Sequence, residues 1–297
     1  MFASLEEIFC AIDDFCKYFD NNRSNYFLTN SARKRRKPCT MSLSEIMTIV
    51  VLFHISHYRT FKDFYFDCVK RAMTPYFPKL VSYNRFVELM ATSLMPLTIF
   101  LHGITGKETG IYFADSTSLK VCHNKREKKH KVFKGIAAKG KNSMGWFFGL
   151  KLHLIINNVG ELMACKITAA NTDDRAPLPK LMGKLQGWLF ADKGYLGQPI
   201  IQQLKKQAVD IFTKVRRNMK PRIMTDTQKF FLSKRGIIET VIDQLKNCCQ
   251  IEHSRHRSPV NAFVTIISAL IAYSFKPRKP SIKLDKLPTP ILSIMSN

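Results

Sequence analysis

The tripeptide Phe-Ala-Asp occurs twice, as Phe113-Ala114-Asp115 and Phe190-Ala191-Asp192, each time closing a short apolar run that reads as a buried strand. Two carboxylates therefore stand at predicted strand ends. Asp is a poor strand former and an unpaired buried carboxylate is costly, so such a residue needs a cation or hydrogen-bond donors to face. Ligands in open α/β sheets bind beyond the carboxyl ends of the strands, which makes the pair a candidate divalent-metal site. The competing reading, two turn or helix-cap residues, rests on the preference of Asp for turns.

A third carboxylate lies in the segment Arg235 to Cys249, where Ile237, Ile238, Val241, Ile242 and Leu245 cover one side of a predicted helix. At about 100° per residue, Arg235, Glu239, Asp243 and Lys246 fall within an arc of roughly 80° on the other side. Taken alone, this stripe reads as an exposed face laced by i,i+4 ion pairs. Together with Asp115 and Asp192 it supplies what phosphodiester chemistry demands: an activated water or hydroxyl, an in-line leaving oxygen, and neutralisation of charge on the phosphate. Two Mg²⁺ ions roughly 3.5–4 Å apart, held by hard carboxylate oxygens, meet all three needs, with Mn²⁺ as a substitute. Flanking Arg and Lys side chains then position backbone phosphates.

The elements that must hold these residues change character along the chain. Apolar positions recur at helical spacing in Leu5 to Ile12, Phe15 to Phe19, Ser44 to His57, Thr60 to Met73 and Asn84 to Leu101, and Ser42 with Glu45 is spaced as a capping box. From Gly110 strands take over. Ile111 to Asp115 is the first, and Trp146 to Ile156 pairs with Glu161 to Thr168 as a hairpin turning on Asn157-Asn158-Val159-Gly160. A helix at Pro177 to Leu185, a strand at Gly187 to Asp192, a helix at Gln198 to Gln207 and a strand at Val209 to Thr213 follow. The expected fold class is α/β, a mixed sheet flanked by helices and preceded by an all-α N-terminal domain. Leu150, Leu152, Leu154 and Ile156 share one strand face, leaving Lys151 and His153 on the other; the strand is expected to be half-buried and His153 to be a packed or surface residue rather than a ligand.

Lys and Arg number 47 against 22 acidic residues, a net charge of +25, so a polyanion is the expected partner and nucleic acid the first choice. The start, Met1 to Glu7, lacks a signal-type pattern, and the longest apolar stretch, Ala262 to Phe275, is too short to span a bilayer. It reads as a core helix, and no membrane partner is expected. The eight cysteines are scattered and read as reduced thiols; Cys248-Cys249 with His253 and His256 lacks the paired spacing of a zinc site. Positive charge is clustered in Arg33-Lys34-Arg35-Arg36-Lys37-Pro38, read as a DNA-contacting arm, in Lys125 to Lys134, in Lys214 to Arg222 with Lys214, Arg216 and Arg217, in Arg255 to Arg257 and in Lys276 to Lys279. Contacts from such clusters to phosphate make affinity fall steeply with salt. Tyr112, Trp146, Phe147 and Tyr195 read as packing residues rather than base-stacking ones.

Asp115 in Tyr112-Phe113-Ala114-Asp115-Ser116-Thr117, Asp192 in Ala191-Asp192-Lys193-Gly194-Tyr195, and Arg235-x3-Glu239-x6-Lys246 resemble the DDE transposases of bacterial insertion sequences. One position departs: the family pattern has a Tyr three residues before the Arg, where this chain has Leu232 beside Phe230 and Phe231. The resemblance spans Tyr112 to Ser274, and the helical N-terminal segment is similar to the leading region of such enzymes. It implies a ribonuclease H-like catalytic domain in which the first and fourth strands lie side by side and parallel. It also implies that Asp115 bridges two metal ions, that Asp192 and Glu239 complete their shells, and that Arg235 and Lys246 contact the transposon-end backbone. The implied division is 1–105, a helical domain for DNA-end binding or dimerisation, 106–276, the catalytic domain, and 277–297, a basic tail. The implied activity is DNA cleavage at transposon ends and strand transfer to target DNA. The implied partners are terminal inverted repeats, target DNA and a second copy of the chain, in a bacterial, nucleoid-associated cytoplasmic setting. A nuclease or resolvase without strand transfer, and a non-catalytic DNA-binding derivative, are the alternatives. Asp243 is the rival to Glu239, and Asp173 and Asp174 read as loop or N-cap residues, a supporting role at the site being the lesser alternative.

Overall fold

Alternating and continuous apolar runs between residues 111 and 212 build a six-stranded mixed sheet in the computed structural model, which describes residues 3–22, 39–214, 223–252 and 256–283. Its strands are β1 (Ile111–Cys122), β2 (Ala138–Asn142), β3 (Gly145–Asn157), β4 (Leu162–Ala169), β5 (Gly187–Ala191) and β6 (Val209–Phe212). β3 runs antiparallel to β1 on one edge; on its other edge β2 pairs with its first residues and β4 with the rest. β5 lies parallel to β1, and β6 parallel to β5. Three long antiparallel strands followed by two parallel ones make this the expected ribonuclease H-like mixed sheet, with the first strand at its centre.

The β3–β4 turn shows how local chemistry fixes register. Asn157 Oδ1 accepts hydrogen bonds from the amides of Val159 at 3.1 Å and Glu161 at 2.9 Å. Gly160 adopts φ 73°, and a Cβ there would meet the Pro280 carbonyl oxygen at 2.1 Å. Only glycine satisfies both the left-handed backbone and that close approach.

Alternation along the strands divides the sheet into two faces. Tyr112, Ala114, Ile155, Leu189, Ala191, Val209 and Ile211 share one buried cluster with Leu178, Leu181 and Met182 of α6 (Leu178–Met182) and Leu204 of α7 (Gln198–Lys206). On the opposite face the rings of Phe113, Phe190 and Phe212 stack in sequence across β1, β5 and β6 at 5.5 and 5.4 Å between centroids. Phe231 of α8 (Asp226–Ser233) closes this stack 5.9 Å from Phe190.

Two expectations change here. β1 does not stop at Asp115 but continues to Cys122, because antiparallel pairing with β3 persists after the parallel pairing with β5 ends at Ala114 and Ala191. β3 is not half-buried: His153 is only 2% exposed and Ile155 is fully buried, because the elements after β4 cover the face that alternation assigns to solvent.

The described chain forms two compact units, Met1–Ile104 with Gln244–Pro277, and Thr105–Asp243 with Arg278–Asn297. The first contains α1 (Leu5–Asn21), α2 (Leu43–Phe53), α3 (Phe61–Asp63) continued by a π-helical turn at Phe64–Val69, α4 (Tyr83–Met90), α5 (Leu94–Gly103) and α10 (Pro259–Ser274). Ser42 and Glu45 form the expected capping box, with reciprocal bonds of 2.6 and 3.1 Å. α10 is buried from Val264 to Tyr273, and so is the core helix its composition suggests; it packs with the N-terminal helices although chain order places it after the sheet. Among the described residues, the segment Tyr83–Gly103 is long and apolar enough to cross a membrane, and 44% of its apolar window is buried inside the protein.

Candidate active site

The parallel register of β1 and β5 pairs Phe113 with Phe190 and Ala114 with Ala191, so the two Phe-Ala-Asp tripeptides lie side by side and in phase. Asp115, still within β1, and Asp192, just past β5, each follow the last residues that these two strands pair. Asp115 is half-buried and its carboxylate accepts from the Ser116 amide at 2.8 Å. Burial pushes its pKa up to about 6; the Ser116 amide and Arg235 oppose the rise, and the charges of Glu239 and Asp192 add to it. The second aspartate, the helix glutamate and one guanidinium are thus the charges that act on Asp115.

Glu239 comes from α9 (Ile237–Asn247), whose apolar residues Ile237, Ile238, Val241 and Leu245 are buried. The helix does not begin at Arg235. Residues 234–236 form a turn after α8, with Gly236 as the break, and Arg235 reaches across it to Glu239 at 3.2 Å. Glu239 keeps 61% of its side chain exposed while Arg235 keeps 19%, so the carboxylate faces outward over a mostly covered guanidinium. Lys246, two turns further along α9, pairs with Glu252 at 3.5 Å. Asp243 is exposed on the same helix. Leu232, which stands where the family pattern has Tyr, is buried, whereas Phe230 is half-exposed with Lys234 Nζ 5.7 Å from its ring centre.

Behind these residues lies a polar cluster around Asp174, whose partners sequence reasoning did not find. Asp174 Oδ1, in the loop after β4, accepts from Ser116 Oγ at 2.8 Å and from Lys151 Nζ at 3.0 Å. Lys151 also donates to the Thr172 carbonyl at 2.9 Å. His153 lies 3.8 Å from Asp174 through Nδ1 and 2.8 Å from Thr168 Oγ1 through Nε2. The buried Tyr195 hydroxyl lies beside Ser116, and burial together with the charges of Asp115, Asp174 and Asp192 raises its pKa. The only local signal for this cluster was the Asp173-Asp174-Arg175 run.

Comparison with known proteins gives the family of the chain. A family model described as a transposase DDE domain matches residues 105–259, more than half of the chain. The chain belongs to the DDE transposase family. A cryo-EM structure of the piggyBac transposase synaptic complex with hairpin DNA superposes with a TM-score of 0.50 at 11% identity, covering 91% of this chain and 74% of that one. The likeness shows the shared fold. The Mos1 strand transfer complex matches at a TM-score of 0.24 and 12% identity, over 81% of this chain and 87% of that one. None of the curated proteins matches the sequence.

This transposase is therefore an enzyme that acts on DNA, and DDE transposase domains use divalent metal ions. Among its described residues, no three His, Cys, Asp or Glu side chains stand together as a ready-made metal cluster. The donor set nevertheless suits a hard cation. Burial and the charges of Asp192 and Glu239 disfavour ionisation of Asp115, and Glu239 is turned to Arg235. A cation of charge two relieves that mutual repulsion and offers Glu239 a stronger partner than a half-exposed ion pair.

Of the predicted DNA contacts, Lys214 is exposed two residues beyond β6, while Arg33, Lys34, Arg35, Arg36, Arg216 and Arg217 lie outside the described residues, as does His253. Trp146 corrects an expectation. It is 57% exposed rather than packed, because it sits at the β2–β3 hairpin tip, with Lys139 Nζ 5.4 Å and Lys141 Nζ 5.8 Å from its ring centre.

His153 gives this transposase a measurable acid sensitivity. Burial lowers its pKa to about 4, Asp174 opposes that, and Lys151 and Lys166 add to it. The neutral imidazole therefore contributes stability above the unfolded pKa of about 6.5, and that contribution is lost as pH falls through 4. The shift corresponds to about 3 kcal/mol at most. In the metal-free protein Asp115 has the opposite sign, since a raised carboxyl pKa stabilises below 3.8 and that stabilisation is lost as pH rises through 6. The two effects oppose one another between pH 4 and 6. A single substitution separates them: His153→Gln should flatten the stability loss on acidification from pH 6.5 to 4 in denaturant titrations. An unchanged pH dependence in that variant would contradict the assignment.

Proposed function

We propose that this chain is the transposase of a bacterial insertion sequence, and that Asp115, Asp192 and Glu239 hold two Mg²⁺ ions, replaceable by Mn²⁺, for cleavage at the element's ends and strand transfer to target DNA. The observation that carries the reading is the parallel register that sets Asp115 beside Asp192, with Glu239 and Arg235 near enough to act on the Asp115 charge. When bound, the metal ions supply an activated nucleophile and neutralise charge on the phosphate. The chain's own groups do the positioning: Arg235 steers Glu239, and Ser116 fixes one Asp115 oxygen.

DNA ends are held by positive charge. Arg235 and Lys246 flank the site on the helix side, Lys214 with the basic segments at 33–36 and 216–217 extends the footprint, and the hairpin tip adds Lys139, Lys141 and the exposed Trp146 face. Lysines with an accessible aromatic ring suit backbone contact combined with base stacking. Two ends must be joined at once, so the working form is a homodimer on DNA, in a nucleoid-associated cytoplasmic setting.

The test begins with the DNA flanking the coding region, where short inverted repeats are expected, and uses duplexes that carry them. Purified protein with Mg²⁺ should nick at the repeat ends and join the freed 3′-hydroxyls to target DNA. Cutting of branched or hybrid duplexes with no joined product would instead establish a nuclease or resolvase.

A further inference from the structure

The loop from Asn171 to Ala176 touches both aspartate-bearing segments. Through Asp174 it is bonded to Ser116 Oγ, and the amide of the same Ser116 donates to the Asp115 carboxylate. Through Arg175 it reaches the Leu196 carbonyl at 3.5 Å, four residues past Asp192. Each arm is braced. Lys151, only 15% exposed, binds Asp174 and Thr172 together, and Asp173 clasps the Arg175 guanidinium through both carboxylate oxygens. Ser116 and Lys151 alternate onto the sheet face covered by α6 and α7, opposite to Asp115.

We propose that Asp174, seated on Lys151, is a positioning residue that holds β1 from behind and sets the spacing between the Asp115 and Asp192 carboxylates. The inference rests on the reading of those aspartates as metal ligands and extends it to a group outside the ligand set. The physical reason is that the pairing of β1 with β5 ends at Ala114 and Ala191, one residue short of both aspartates. The two aspartates are not themselves register partners, and the clasp ties their segments together through side chains. Groups that orient metal-binding carboxylates in this way typically change metal affinity or activity by about 10–100-fold when removed.

The experiment is a calorimetric titration of the full chain with Mn²⁺ alone, run on wild type, Ser116→Ala, Ser116→Thr, Asp174→Asn and Asp115→Asn, with thermal unfolding of each metal-free protein alongside. Asp174→Asn and Ser116→Ala should weaken Mn²⁺ binding about 10-fold or more. Ser116→Thr, which keeps the hydroxyl, should restore it. A purely structural role would lower the unfolding temperature of Ser116→Ala and leave Mn²⁺ affinity unchanged, and that result overturns the proposal. Ser116→Ala also keeps the test decisive if Asp174→Asn fails to fold, because it deletes one hydroxyl from an intact strand. Asp115→Asn distinguishes the two levels: loss of binding there with wild-type affinity in both clasp variants removes the clasp alone, whereas unchanged binding in Asp115→Asn removes the metal-site reading and the clasp with it.

Discussion

Asp115→Asn is expected to lower metal-dependent DNA cleavage by about 10³-fold or more, the scale on which removing a group that stabilises transition-state charge acts. DNA binding should stay close to wild type, because the amide is isosteric and the cationic groups are untouched. Asp192→Asn and Glu239→Gln should behave alike. The same substitution should stabilise the metal-free enzyme. In wild type the half-buried Asp115 carboxyl has a pKa of about 6, so ionising it at neutral pH costs folding free energy that a neutral amide does not. The gain is about 1–3 kcal/mol at pH 7.5, shrinking as pH falls through 6 and absent below the ordinary carboxyl value. Saturating Mg²⁺ should reverse the order, since an ion that binds only the folded wild type adds stability by mass action. Cleavage assays paired with denaturant titrations, with and without Mg²⁺, check both halves. Undiminished cleavage by Asp115→Asn would remove this residue from the chemistry.

Phe190→Ala should be the most destabilising single change in the sheet, costing about 3–5 kcal/mol. Phe190 is fully buried and touches three rings, Phe113, Phe212 and Phe231, drawn from two neighbouring strands and α8. Truncation leaves a cavity in a rigid aromatic stack that cannot easily collapse. It also has a functional consequence. Phe113 and Phe190 precede Asp115 and Asp192 by two residues in each strand, so loosening their contact loosens the carboxylates as well. Trp188→Ala, a partly exposed position on the same strand, should cost less. Equal losses for the two, read from denaturant midpoints at constant slope, would contradict the packing account.

The chain's chemistry was more legible than its supporting structure. The repeated Phe-Ala-Asp could be read because burial forces apolar residues up to the point where the carboxylate must appear, and the parallel register then aligned the copies residue for residue. The stripe Arg235, Glu239 and Lys246 was legible from helical period alone, although Gly236 breaks the helix between the first two. β2 was not legible: Ala138-Lys139-Gly140-Lys141-Asn142 has no apolar alternation, and it is a strand only because β3 offers an edge to pair with. α8 left a readable signal in Thr225 and Gln228, spaced as a capping box and bonded as one. The Asp174 clasp had no such signal. It joins residues 58 positions apart, and only the folded sheet brings position 174 against position 116. The half-buried reading of β3 failed for a related reason, since alternation reveals which residues share a face but not whether later elements cover it.

The central claim is that the two Phe-Ala-Asp aspartates serve the same metal site. A crystal structure of the transposase bound to its end DNA and soaked in Mn²⁺, read by anomalous scattering, tests it most directly. Manganese peaks within about 2.0–2.6 Å of oxygens from both Asp115 and Asp192, with Glu239 turned from Arg235 toward them, are the expected result. Peaks bound elsewhere, or bound by one aspartate while the other remains with protein donors only, would contradict it.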